Sequence, residues 1–219
     1  MNLFVKILSV VLSGLLALNT WAGSYDDFFL AVKQDNPVAV QDLLNRGIDP
    51  NLLSPEQVPA IIFALRISSF KVSKVLFEHP GLDVNILSKE NESPLMLAAL
   101  RGQLGFCQIL IERNADVNKT GWAPLHYAAT AGHLSVMQLL LDNHAFIDAA
   151  SPNGSTPLMM AAMYGTSDAV KLLLESGADW TIKNEKDLTA IDFAIKASKK
   201  ESVDTISAFI RTQNKTGEW

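Results

Sequence analysis

A single cysteine among 219 residues leaves no intramolecular disulfide to brace the fold. That residue, Cys107, lies in GFCQILIE, where its neighbours describe a buried helix face, so it reads as a small apolar core residue. Basic runs are equally scarce, with Lys199-Lys200 the longest. Together with a formal net charge of −5, this excludes a non-specific nucleic-acid binder, which needs clustered cations to neutralise phosphates. No stretch approaches the roughly 20 apolar residues that cross a bilayer as a helix. The chemistry-bearing motifs are missing too: no GxSxG elbow, phosphate-binding glycine loop, HExxH or CxxC occurs. Four histidines (His79, His126, His133 and His144) and one cysteine are a poor stock for a zinc site. No metal, cofactor or catalytic residue is therefore expected, and the chain reads as a non-enzyme. The paired carboxylates Asp26-Asp27 are read as a helix start, where acids complement the dipole.

What is present begins with MNLFVKILSVVLSGLLALNTWA, residues 1–22. Lys6 is its only charge, Ile7 to Leu18 make an apolar centre of 12, and Thr20 and Ala22 precede Gly23-Ser24. That order predicts a secretory signal peptide, cleaved after Ala22. With hydrophobic residues at 48% and charged residues at 19%, the remainder has ample material for a core.

The decisive feature is self-similarity. SPLMLAALRG (93–102), APLHYAATAG (123–132), TPLMMAAMYG (156–165) and TAIDFAIKAS (189–198) align, with a weaker copy in VPAIIFALRI (58–67). Their second positions fall at 59, 94, 124, 157 and 190, so the steps are 35, 30, 33 and 33. Each copy is followed by a second apolar segment: VSKVLFEH, FCQILIER, VMQLLLDN, AVKLLLES and the less regular VDTISAFI. Several of these end in turns such as ADVN (115–118), AFID (145–148) and ADWT (178–181). Pro157 suits a first helical turn, Thr156 an N-cap, and Val170, Leu172 and Leu173 a face toward the adjoining unit. Asn153-Gly154 is a hairpin signal, while the stretch from Asn118 to Gly121 is about three residues short.

This pattern resembles the ankyrin repeat, over roughly residues 25–212. The resemblance implies an all-α solenoid of helix-turn-helix units with short β-hairpin fingers. Six units are expected, at 25–51, 52–85, 86–118, 119–148, 149–181 and 182–212, the domain spanning 23–212 and a tail filling 213–219. Two residues are expected in excess ahead of Pro94. His126, aligned with Met96, Met159, Ile61 and Asp192, is expected to bond backbone between neighbouring units.

The resemblance also implies a protein-binding role through the concave face. Mapped onto this chain, that face takes fingertip residues Glu92, Trp122, Ser155 and Leu188. To these it adds Leu100, Arg101, Thr130, Ala131, Met163 and Tyr164 late in the first helices, with Lys196 and Ala197 as the last pair. Trp122, Leu100, Met163 and Tyr164 would form an apolar and aromatic stripe beside Arg101, the residue types that dominate binding hot spots. Leu97, Tyr127 and Met160 are expected in the core. A monomer is expected, both ends looking polar enough to cap, with proteins as partners, no nucleic acid and no membrane insertion once the leader is removed. The leader and the small single domain point to the bacterial periplasm. There the chain would bind one envelope protein, in a sharper form as an immunity protein against a periplasm-acting toxin. An accessory factor for a periplasmic enzyme and a secreted effector binding host proteins are the alternatives.

Overall fold

The structure, a computed structural model, describes residues 23–216, so the expected signal peptide at 1–22 lies outside the described residues. The chain divides between Asp83 and Val84 into two compact units. The first holds α1 (residues 23–33), α2 (Pro37–Asn45), α3 (Ala60–Arg66) and α4 (Phe70–Glu78). In the second, inner helices α5 (Pro94–Leu100), α7 (Pro124–Ala131), α9 (Pro157–Met163) and α11 (Ala190–Lys196) stack side by side. Outer helices α6 (Leu104–Glu112), α8 (Leu134–Asp142), α10 (Ser167–Glu175) and α12 (Lys200–Thr216) form a second layer behind them. α12 thus runs on through 213–216, the expected tail, because its sequence meets no proline or glycine before Gly217.

These helices form where the sequence supplies caps. Pro94, Pro124 and Pro157 open their helices at a position where a missing N–H costs nothing. Ser93 and Thr156 accept the N–H of the third helical residue at 3.2 and 3.4 Å. Most helices are only 7 to 9 residues long, too short to persist alone. Stability therefore comes from what they bury. Leu95, Leu125 and Leu158 are sealed between inner helices, together with the small pairs Ala98-Ala99, Ala128-Ala129 and Ala161-Ala162. Val170, Leu173 and Leu174 are buried on α10, whereas Leu172 is half exposed, so Leu174 fills the core place expected of Leu172.

The weak first copy is displaced by one residue. Pro59 caps α3 rather than entering it, so it corresponds to Ser93, not to Pro94. The caps fall at 59, 93, 123, 156 and 189, giving a first step of 34 and one extra residue instead of two. That residue sits at the His79–Leu82 corner, where α4 ends in extended backbone. The place of His126 is accordingly taken by Ile62, not Ile61.

The fingers are turns closed by backbone bonds rather than strand ladders; the one isolated bridge described pairs Leu53 with Pro59. Ser54, Ser88, Ser151 and Asn184, all buried, each accept the N–H four residues on, from Val58, Glu92, Ser155 and Leu188. The short finger is a simple bend over 120–122. The last inner helix is covered less well than a polar cap would make it. Ile195 is 58% exposed at the register where Ala99, Ala129 and Ala162 are fully buried beneath the next helix.

One side-chain position bridges successive repeats within each unit. In the first, Asn51 accepts the Asp83 N–H and donates to the Gly81 carbonyl, both at 2.8 Å. In the second, Asn85 accepts from Asp116 N–H and donates to Asn114, and Asn118 accepts from Phe146 N–H and donates to His144. The next such residue is Asp148, which accepts the Asp179 N–H at 3.1 Å but as a carboxylate has nothing to donate. Burial pushes its carboxyl pKa up, aided by the Asp179 charge and opposed by the Asp179 N–H. A raised carboxyl pKa means that the folded state binds the proton more tightly than the unfolded chain, so stability falls as pH rises through it. Asp148→Asn is expected to stabilise the fold by about 0.5–1.5 kcal/mol at neutral pH, by supplying the donor that Asn85 and Asn118 have at the same place. In urea melts the gap between the two proteins should narrow as pH falls through the acid range, where Asp148 takes up its proton more readily in the folded state.

Candidate protein-binding face

Helical spacing decides which side chains share the exposed face of the inner layer. Residues three and four apart lie on one side of a helix, so Leu97 joins Leu100 and Arg101, Tyr127 joins Thr130 and Ala131, and Met160 joins Met163 and Tyr164. Phe193 joins Lys196 and Ala197 in the same way. Tyr164 is 54% exposed, and Arg101 and Lys196 are also exposed. Leu100, Thr130, Ala131, Met163, Ala197, Tyr127, Met160 and Phe193 are half-buried, and Leu97 is buried as expected. Tyr127 and Met160 therefore leave the core assigned to them and belong to this face. The signal was their own spacing to Thr130 and Met163, which outweighs their place beside the small pair.

Of the fingertip residues, Glu92, Trp122 and Leu188 are half-buried at the edge of the face. Trp122 packs its ring against His126 in an edge-on arrangement, 5.3 Å between centroids with planes at 78°, so much of its surface is spent on the scaffold. Ser155 does not reach the surface at all, being 1% exposed. Its N–H is bound by Ser151 Oγ, and its carbonyl accepts from the Ser151 N–H and from His126. It is a strut beneath the finger.

Under the face runs a polar frame. His126 is fully buried; its Nδ1 accepts the Ala123 N–H at 3.1 Å, so Nε2 carries the proton and donates to the Ser155 carbonyl at 3.0 Å. The same place in other repeats holds Met96, Met159 and Asp192, whose Sδ, Sδ and Oδ2 atoms accept the N–H of the capping residue. Where the cap is Pro59, which has no N–H, the place is taken by apolar Ile62. His133 Nε2 bonds the Leu100 carbonyl at 3.1 Å, and Lys199 Nζ bonds that of Gly165 at 3.0 Å. A Cβ on Gly165 would collide with the Ala129 carbonyl oxygen, so close approach of repeats demands glycine there, while Gly102 holds a positive φ of 65° against the His133 ring.

The family model for ankyrin repeats in three copies matches residues 28–120, 74–151, 116–184 and 144–215. The chain belongs to the ankyrin repeat family. It is 29% identical over 148 residues to ankyrin repeat and SAM domain-containing protein 6 of Rattus norvegicus, covering 68% of this chain and 13% of that protein. A second similarity, 29% over 159 residues, is to transient receptor potential cation channel subfamily A member 1 of Homo sapiens, covering 68% of this chain and 14% of the relative. The chain thus spans about one seventh of the length of these curated relatives. Among solved structures, the human ASB11 ankyrin repeat domain superposes with a TM-score of 0.73 at 28% identity, covering 83% of this chain and 82% of that one. An all-helical ankyrin solenoid is the fold of this protein, and ankyrin repeats mark it as a protein-interaction module.

The described ankyrin residues bring no reactive constellation together. No group of three or more His, Cys, Asp or Glu is placed to hold a metal ion among them. Burial pushes the Cys107 thiol up to about 12, leaving it protonated and a packing residue. Nor is any described helix long and apolar enough to cross a membrane.

His126 makes the ankyrin frame sensitive to acid. Burial holds its pKa below the ordinary imidazole value, with its backbone bonds opposing. A depressed pKa means the unfolded chain takes the proton first, so the stability His126 contributes is present above about pH 6.5 and is lost as pH falls below it. His126→Met, which keeps an acceptor for Ala123 but loses the bond to Ser155, should cost about 1–2 kcal/mol at pH 7. Denaturant melts should show the variant's stability changing less than the parent's between about pH 7 and pH 5.

Proposed function

We propose that this protein is a non-enzymatic ankyrin module that is exported by its N-terminal leader and binds one protein of the bacterial envelope through the inner-helix face of residues 84–216. The observation that carries this reading is Tyr164, 54% exposed at the end of α9, with half-buried Met163, Met160 and Tyr127 around it. Exposed aromatic and thioether side chains on a rigid, hydrogen-bonded support are what a protein interface uses for anchoring. Leu100, Arg101, Thr130 and Leu188 border that anchor, with Glu92 and Trp122 at its fingertip edge; buried Ser155 is not part of it.

Occluding a hydrolytic enzyme or toxin that acts in the periplasm is the sharper form of this role. A small acidic module with one anchoring face restrains its target by covering it, and needs no second domain. Lysates of the native organism fractionated into periplasm and medium, with capture on the tagged protein, test both location and role. Recovery of one hydrolytic or toxin-like protein from the periplasm supports restraint. A resident redox enzyme would shift the role to an accessory factor. Presence of the protein in the medium, with binding to host proteins, would make it an effector.

Met163→Ala combined with Tyr164→Ala is expected to abolish capture while costing about 1–2 kcal/mol of unfolding free energy, since Tyr164 is exposed and Met163 half-buried. Circular dichroism melts alongside the capture check this. Full capture by the double variant would remove the face from the interface.

A further inference from the structure

We propose that, in place of the expected monomer, a second copy of this chain docks on the C-terminal end of the repeat stack, the two α12 helices lying antiparallel across a two-fold axis. The proposal is independent of the protein-binding reading and leaves the inner-helix face free. Within the stack of α5 to α12 each repeat is covered by the next. In the repeat of α9 and α10, Leu158, Ala162, Val170 and Leu174 are at most 2% exposed, sealed beneath α11 and α12. The same places on α11 and α12 hold Ile191, Ile195, Val203 and Ser207, and no further helix among the described residues follows to cover them. Ile195 is 58% exposed and the other three are half-buried. Repeat arrays close such an end with a polar outer face, yet none of these four residues carries a charge.

What this face fits is narrowed by how it departs from an internal one. Ala99, Ala129 and Ala162 let neighbouring inner helices approach closely, and isoleucine at 195 removes that room, so a further repeat does not seat here in line. On the outer helix the change runs the other way, Ser207 being small where α10 has Leu174. α12 also runs for 17 residues where α10 has 9, and the extension carries Ile210 and Arg211. Val203, Ser207 and half-buried Ile210 are spaced by four and three residues, as in the seam of a helix pair, with exposed Asp204 and Arg211 along one side of it. Ser202 and Ile206, both 1% exposed, turn the opposite side of α12 into the core. A two-fold axis near Ser207 sets Val203 of each copy toward Ile210 of the other, and Asp204 toward Arg211, so the pairing is made twice. Asp204 makes no ion pair with Lys200 one turn away, nor Arg211 with any acid among the described residues, so both charges are open to the second copy. Ile191 and Ile195 extend the apolar contact along α11.

Sedimentation equilibrium of the full chain tests this, with circular dichroism spectra as the check of folding. A reversible monomer–dimer equilibrium is expected, with a dissociation constant on the order of 10 μM, as suits a small contact. Ile195→Lys, at an exposed site, should weaken the dimer at least about tenfold and leave the helical spectrum unchanged. Asp204→Arg should weaken it about fivefold by setting like charges together, and adding Arg211→Asp should restore the parent's constant to within about twofold. Both of those side chains are exposed, so the charge swap spares the fold. A chain that stays monomeric up to about 100 μM, or that grows past the dimer, overturns the proposal. So does a dimer indifferent to Ile195→Lys, one held by the N-terminal leader included. A charge swap that fails to restore association overturns it as well, since only the antiparallel two-fold contact brings Asp204 to Arg211.

Discussion

Register between neighbouring repeats depends on side chains that reach across to the next repeat's backbone. Apolar burial drives the helices together but is non-directional, and helices of seven or nine residues bring little stability of their own. His126 to the Ser155 carbonyl, His133 to Leu100, Lys199 to Gly165 and the Asn85 and Asn118 bridges make the stacking specific. The His126 bond satisfies a buried carbonyl, while the others are half-buried or exposed ties to backbone. Alanine pairs and Gly165 set how closely the repeats approach, and the polar bridges then fix which residue meets which.

Much of this was legible in the residues. The Pro-Leu copies, the apolar second segments and the spacing near 33 identified the helix pairs, because each cap, proline and small pair has a local physical cause. Pro59 misled by its chemistry, since proline serves as readily at a cap as one place later, and only the backbone distinguishes the two. The serines at 54, 88 and 151 and Asn184 gave no signal, because a buried finger strut looks like an ordinary loop residue until its N–H partner four residues on is seen. Asn51, Asn85 and Asn118 look like plain turn residues for the same reason.

The candidate face was half legible. The positions late in the inner helices followed from the motif, and helical spacing to Thr130 and Met163 was enough to add Tyr127 and Met160. Ser155 was misplaced because a small polar residue next to Asn-Gly reads as a tip, whereas three backbone and side-chain partners hold it inside. Scaffold and face are largely separate: the frame is built from side-chain bonds to neighbouring backbone, while Tyr164 stands exposed on the face. That separation lets a repeat protein vary what it binds without altering how it folds. The proposed export and location rest on the expected leader alone, and the animal relatives match 68% of this chain.

Amide hydrogen exchange on the intact protein, with and without its captured partner, tests the central claim most directly. The account predicts new protection along α5, α7, α9 and α11 and at the neighbouring fingertips, with the outer helices unchanged. Protection confined to α6, α8 and α10, around the groove lined by Leu104, Leu134, Leu139 and Leu172, would contradict it and move the interface to the opposite layer.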